Sequence, residues 1–232
     1  TNLFPKMVLP LVLIQNEAVE LIDDAMAGNR MLGLLLSKRA DVDSRHTADD
    51  LHRVGTVAVI LKMSKMEDEK AQLLIQGVKR FKVDEFLQGK PYMQASIDIL
   101  DSRNTERNKE NRALMNNIVE QYDKIVDLSP GLPSEMGHMI KSLQEPNVLA
   151  DMVASTINAP VKEKQNVIEL LDVTMRLKKV TRLVNDQLEI LEMGSKIQNQ
   201  VKEDMDKRQR EYYLRQQLKT IKEELGESDN ER

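Results

Sequence analysis

The run LFPKMVLPLVLI, residues Leu3 to Ile14, is dense in Val, Leu and Ile but is broken by Pro5 and Pro10. A run of this composition reads as a β-strand. Proline cannot donate to a ladder, so the strand must lie at a sheet edge or carry bulges. Working outward from it, Asn16 can cap the helix NEAVELIDDAMAGN, in which Ala18, Leu21, Ile22, Ala25 and Met26 keep helical spacing and Gly28 provides the stop. Four more strand candidates come after it: Met31 to Leu36, Val54 to Met63, Ala71 to Leu87 split near Gly77, and Tyr92 to Leu100. Ala40 to Arg53 reads as a polar loop, and SKMEDEK, Ser64 to Lys70, as a hairpin tip. Short strands with one helix predict a barrel-like, β-rich module over residues 1–102.

Beyond Asp101 the periodicity becomes helical. Met115, Ile118, Val119, Tyr122, Ile125 and Val126 share one face, and Pro130 and Pro133 punctuate the connection after them. Shorter helices are marked by Met136, Met139, Ile140 and Leu143, then by Val148, Leu149, Met152, Val153 and Ile157, and then by Lys162 to Leu171. Asp172 is placed to cap a further one. These faces can bury one another, so residues 103–190 form a helical bundle and the chain as a whole is α+β. From residue 191 onward the pattern thins. Ile197, Val201, Met205 and Tyr212 are widely spaced, whereas Leu214, Leu218, Ile221 and Leu225 step by four, three and four, the seam of a coiled coil. A continuous helix from Gly194 to Leu225 would extend about 45 Å, which predicts a projecting helix in need of a partner.

Composition narrows the function. Aromatic residues are only 3% of the chain, with no Trp and three Phe, so the core must be mainly aliphatic, and the 13 Met offer adaptable apolar surface or gap filling. The net charge of −4 is evenly spread: residues 1–100 carry 13 Lys/Arg against 14 Asp/Glu, and the rest carry 21 against 24. No segment has the basic excess that phosphate-backbone binding requires, which argues against nucleic acid as a partner. Lys207, Arg208 and Arg210 form the best basic cluster, but Glu203, Asp204, Asp206 and Glu211 offset it. Without Cys there is no disulfide framework, zinc ribbon or thiol nucleophile, which suits a cytoplasmic setting. No apolar run approaches the roughly 20 residues needed to span a bilayer, so no membrane association is expected. Thr1 stands directly before the first strand and the chain stops just past a helix, so both ends read as cut.

Catalytic motifs do not assemble. His46 and His52 are six apart in the polar loop and read as surface residues, while His138 among Met136, Met139 and Ile140 reads as a partly buried helix residue. Gly89-Lys90 lacks the upstream Gly of a phosphate loop and has Pro91 where Ser or Thr should stand. The expectation is therefore no catalytic residue, no metal site and no cofactor site in these residues.

The stretch QREYYLRQQLKTIKEELGE, Gln209 to Glu227, resembles the long helix that leads into the ATPase module of the Lon family of ATP-dependent serine proteases. LFPKMVLPLVL near the start, VGTVAVILK at Val54 to Lys62, IQGVKRFKV at Ile75 to Val83 and EKQNVIELLDVTMRLKKV at Glu163 to Val180 match the N-terminal region of that family in the same order. The resemblance implies a PUA-like pseudo-barrel over 1–102, a helical bundle over 103–190 and a linker helix over 191–232. It also implies ATP, Mg²⁺ and a Ser-Lys dyad in modules beyond these residues, hence none of them here. The implied role is recognition of unfolded or damaged proteins and assembly of a homohexamer in the cytoplasm. A stand-alone adaptor built on the same first domain, without a protease, is the alternative.

Two residue sets answer to that role. A receptor for unfolded chains needs an adaptable apolar patch, for which Leu3, Phe4 and Met7 beside the first strand and Met63 and Met66 at the hairpin tip are candidates. The competing reading of Phe4 and Met7 is that they are core. Along the last helix, Met205, Tyr212, Tyr213, Leu214, Leu218, Ile221 and Leu225 are the candidates for assembly and gating.

Overall fold

The computed structural model describes residues 2–13, 16–39, 47–65, 71–88 and 92–224. Met66 and Leu225, His46 and the Gly89-Lys90 pair lie outside the described residues. Residues 1–187 form one compact unit and residues 188–232 a second.

The first unit opens with a five-stranded antiparallel sheet. Its strands are β1 (Val8–Leu13), β2 (Met31–Leu34), β3 (Val54–Lys65), β4 (Ala71–Gln88) and β5 (Gln94–Leu100), with helix α1 (Asn16–Ala27) between β1 and β2. The ladder order is β1-β4-β3-β2, and β5 pairs with β4. β4 is the organiser. Residues 71–76 take β1 and residues 80–88 take β5 along one edge, while β3 runs along the other. The expected split near Gly77 does not occur. The strand continues, and Val78 is an extra residue where the register against β3 shifts between Val57 and Ala58. A bulge bends so long a strand and increases its local twist without ending it. The expected polar loop before β3 contains a 3₁₀ turn at Ala48–Asp50.

Strand alternation then sorts the faces. Ala58, Ile60, Leu73 and Ile75 turn inward, where Leu3 and Ile22 of α1 close over them, and Leu9, Leu11, Leu32 and Met63 pack around the rim. Five helices come next: α2 (Lys109–Leu128), α3 (Ser134–Ser142), α4 (Pro146–Thr156), α5 (Val161–Glu169) and α6 (Val173–Glu224). Ile118, Tyr122 and Ile125 of α2 are fully buried, as are Leu149 and Val153 of α4, Val167 of α5 and Leu177 and Val184 of α6. The 3.6-residue period of the sequence is therefore the period of burial. Asp172 caps α6 as expected, accepting from the Met175 N–H at 2.9 Å. That bond, with the Asn104 amide, holds its carboxyl below the usual range. His138 departs from expectation. Gly137 occupies the buried position on α3, and His138 is exposed.

The sheet and the helices are joined by a buried ionic cluster. Arg80 of β4 donates from both terminal nitrogens to the two carboxylate oxygens of Asp151 on α4, at 2.9 and 2.6 Å, and from Nε to the Ile168 carbonyl at 2.9 Å. Arg176 of α6 reaches the same carboxylate at 3.3 Å and also binds the Leu170 carbonyl and the Ser102 hydroxyl. Arg176 has no exposed surface, and burial pushes its guanidinium down to about 10, so it stays charged at neutral pH. Replacing Asp151 by Asn would leave two buried cations without their counter-charge, which costs about 3–5 kcal/mol. Urea unfolding of Asp151→Asn should show a loss of that size, whereas an Arg80→Met, Asp151→Leu, Arg176→Met triple variant should lose far less.

Candidate functional site

Leu3 and Phe4, expected as part of an apolar patch, are 3% and 1% exposed; for Phe4 this is the competing core reading, and Leu3, outside that reading, is buried with it. The cause is local. The Leu3 carbonyl accepts from the Thr56 hydroxyl at 2.6 Å, and around the β4 bulge Lys6 N–H donates to the Gly77 carbonyl and Gly77 N–H to the Met7 carbonyl. The segment before β1 is thereby laid onto the sheet. Its approach is so close that a Cβ on Gly77 would stand 2.2 Å from the Phe4 carbonyl oxygen. Met7 and Met63 are half-buried against the same core and do not form a surface with Leu3 and Phe4.

The accessible apolar surface lies on the opposite face of the sheet. Register places Val8, Gln76, Val59 and Met31 in one row across four strands, and Pro10, Leu74 and Lys62 in the next. Val8, Met31 and Leu74 are 45%, 46% and 36% exposed, and Leu61, the extra residue of the β3 bulge, is 47% exposed. Sequence reading missed this face because the inner and outer residues of β1 are equally aliphatic and only the pairing tells them apart. Inside the sheet, a cavity of about 260 Å³ is lined chiefly by leucines, among them Leu11, Leu21, Leu32 and Leu34. Asn2, Thr56 and Gln165 are its polar lining residues, and the leucines suit it to an aliphatic group.

Two polar contacts elsewhere in the first unit tie its elements together. His52, expected as a loop surface residue, is half-buried and sits 3.1 Å from Glu169 of α5, which also accepts from Gln165. Tyr92 donates to Asp24 at 2.6 Å, and this bond raises the phenol's pKa. Among the described residues no group of His, Asp and Glu could hold a metal ion, and no helix is long and apolar enough to cross a membrane.

In the second unit, the part of α6 from Leu188 onward is a polar helix with two exposed apolar stripes. Ile190, Met193, Ile197, Val201, Met205 and Tyr212 form one; Leu214, Leu218 and Ile221 form the other, and each of these side chains is more than half exposed. At about 100° per residue the stripes lie about 120° apart around the helix, with Tyr212 and Tyr213 at the change of face. The helix continues through Gly194.

The family model for the ATP-dependent protease La (LON) substrate-binding domain matches residues 1–186. The chain is 50% identical over its whole length to Lon protease of Syntrophus aciditrophicus and 49% identical over 98% of its length to Lon protease of Desulfosudis oleivorans. It spans 30% and 28% of those two relatives. Among solved structures, the N-terminal domain of a Mycobacterium avium complex Lon protease superposes with a TM-score of 0.63 at 22% identity, covering 80% of this chain and 94% of that one. The Lon N-terminal domain protein of Xanthomonas campestris gives 0.55 at 15% identity, covering 77% and 90%. At those identities the superpositions speak for the fold alone. The chain belongs to the family of Lon substrate-binding domains.

Proposed function

We propose, on the premise of that membership, that this chain is the substrate-receiving part of an ATP-dependent Lon protease and binds unfolded or damaged segments of other proteins. The observation that carries this reading is the exposed apolar face of the sheet around Val8, Met31, Leu61 and Leu74 in a chain of this family. Folded proteins bury their aliphatic side chains and unfolded ones display them, so an apolar face with few charges distinguishes the two without reading a particular sequence. Gln72, Gln76 and Lys62 border the face and keep it wettable when empty.

The division of labour matches the three segments. Residues 1–102 offer the face, residues 103–190 brace it, and residues 191–232 gather copies of the chain, the whole enzyme being a cytoplasmic homohexamer. For assembly, Leu214, Leu218, Ile221 and Leu225 have coiled-coil spacing, and Met205, Tyr212 and Tyr213, which are exposed, would meet substrate entering between gathered helices. Hydrolysis of ATP with Mg²⁺, and of peptide bonds by a serine nucleophile, belongs to modules outside this chain, so the chain by itself binds and does not cut.

Two outcomes are expected. A Val8→Ser, Met31→Ser, Leu74→Ser variant that keeps the wild-type circular dichroism should bind a permanently unfolded, reduced and alkylated protein roughly tenfold more weakly, because each buried aliphatic side chain contributes about 1.5–3 kcal/mol when fully covered and less at a rim; unchanged affinity would remove the sheet face from the reading. Deleting residues 191–232 should abolish self-association in light scattering while residues 1–190 stay folded, and an unchanged mass would remove the assembly role.

A further inference from the structure

Among the described residues three strands, β1, β2 and β5, pair on one side only, and they are not equivalent. β1 carries Pro10, which has no N–H to offer, and β2 is four residues long with Gly33 inside it. Both are edges blunted against pairing. β5, QASIDIL, has no proline, no lysine or arginine, and a single charge at Asp98. It pairs with β4 on one side, and among the described residues its backbone makes no hydrogen bond outside that ladder. The two irregularities of the ladder fall in β4, at Asp84 and Leu87, so β5 itself runs unbroken for seven residues.

Side chains add a second feature. Ile97 and Ile99 stand directly opposite Val83 and Phe81 of β4. Val83 and Phe81 are buried at 1% and 2%, yet Ile97 and Ile99 are 39% and 50% exposed. A row that is core on β4 is thus left uncovered on the strand beside it. Another strand laid along β5 would continue the row and supply the missing neighbours.

We infer that β5 is a strand-addition site that takes an extended segment of the unfolded substrate, aliphatic or β-branched at alternate positions and free of proline. This rests on the reading of the chain as a receptor for unfolded protein and supplies its mode of binding. Backbone N–H and C=O groups, open along an unfolded chain and for the most part paired inside a folded one, provide recognition independent of sequence, while Ile97 and Ile99 set a preference for apolar residues on one side. The occupant is a transient peptide and not a second copy, because seven residues of edge bury well below the roughly 1,200–2,000 Å² of a stable protein interface.

The test is hydrogen exchange of the 232-residue chain with a short peptide of alternating valine and threonine flanked by lysines, and with the same peptide N-methylated at alternate amides. The plain peptide should slow exchange at alternate amides of residues 94–100, and N-methylation should weaken binding by roughly tenfold through the lost backbone bonds. Ile97→Lys should weaken the plain peptide while exchange in β4 stays at wild-type rates. Equal affinity for the two peptides, or protection at β1, β2 or the outer sheet face instead, overturns strand addition at β5 and leaves the receptor reading standing. Protection of β5 that grows with protein concentration in the absence of peptide assigns the edge to a second copy and also overturns it. If neither peptide nor the reduced, alkylated protein binds, the receptor reading falls together with the inference.

Discussion

The carboxylate of Asp151 holds the first unit together. It stands buried between Arg80 of β4 and Arg176 of α6, and the remaining donors of both guanidiniums are taken by backbone carbonyls at Ile168 and Leu170 and by the Ser102 hydroxyl. A buried cluster with two cations and one anion is satisfied by its own members and nearby backbone, so they are fixed in position by each other. Through them the middle of the longest strand is tied to α4, to the end of α5 and to the start of α6. Asn2, Gln165 and the Val54 carbonyl extend the join with a polar chain at 3.0 and 2.9 Å. Such networks do not add much net stability compared with an apolar filling. Their contribution is one allowed docking of helices on sheet, because a slipped register would strand buried charges.

That fixed docking decides which parts of the sheet meet solvent. The inner face is closed by Leu3, Ile22 and the rim leucines, and the arginine cluster seats the helical part against the stretch of β4 around Arg80. Among the described residues, the surfaces left open include the outer rows from β1 to β2 and the outer side of β5. Both suit a ligand defined by features that unfolded proteins have in common, namely exposed aliphatic side chains and unpaired backbone. Neither requires a catalytic group.

Much of this was legible in the sequence. α1 starts at Asn16 and stops before Gly28, Asp172 caps α6 as read, and the spacing of Ile118, Tyr122 and Ile125 matches the buried side of α2. Local rules suffice where a residue's role depends on neighbours within a turn or two. The misses share the opposite trait. Arg80 and Asp151 are 71 positions apart, and each looks like an ordinary surface charge until the fold brings them to 2.6 Å. Phe4 lies before a proline-broken strand and read equally well as surface or core; the choice was made by the bulge at Gly77, itself hidden in a run that read as two strands. His52 found its partner on α5, 117 positions away. The outer sheet face was invisible for a related reason: pairing register, not composition, separates Val8 from Leu9. The family signature, by contrast, depends on order along the chain and was readable throughout.

The central claim is that residues 1–187 present their receiving surfaces as one cooperative body held by the buried arginine cluster. The most direct measurement tracks urea unfolding by hydrogen exchange at amides of β4 and of α4 at the same time. The account predicts coincident transitions with a single midpoint in both elements. Separate midpoints, with the sheet or the helices melting while the other remains protected, would contradict it.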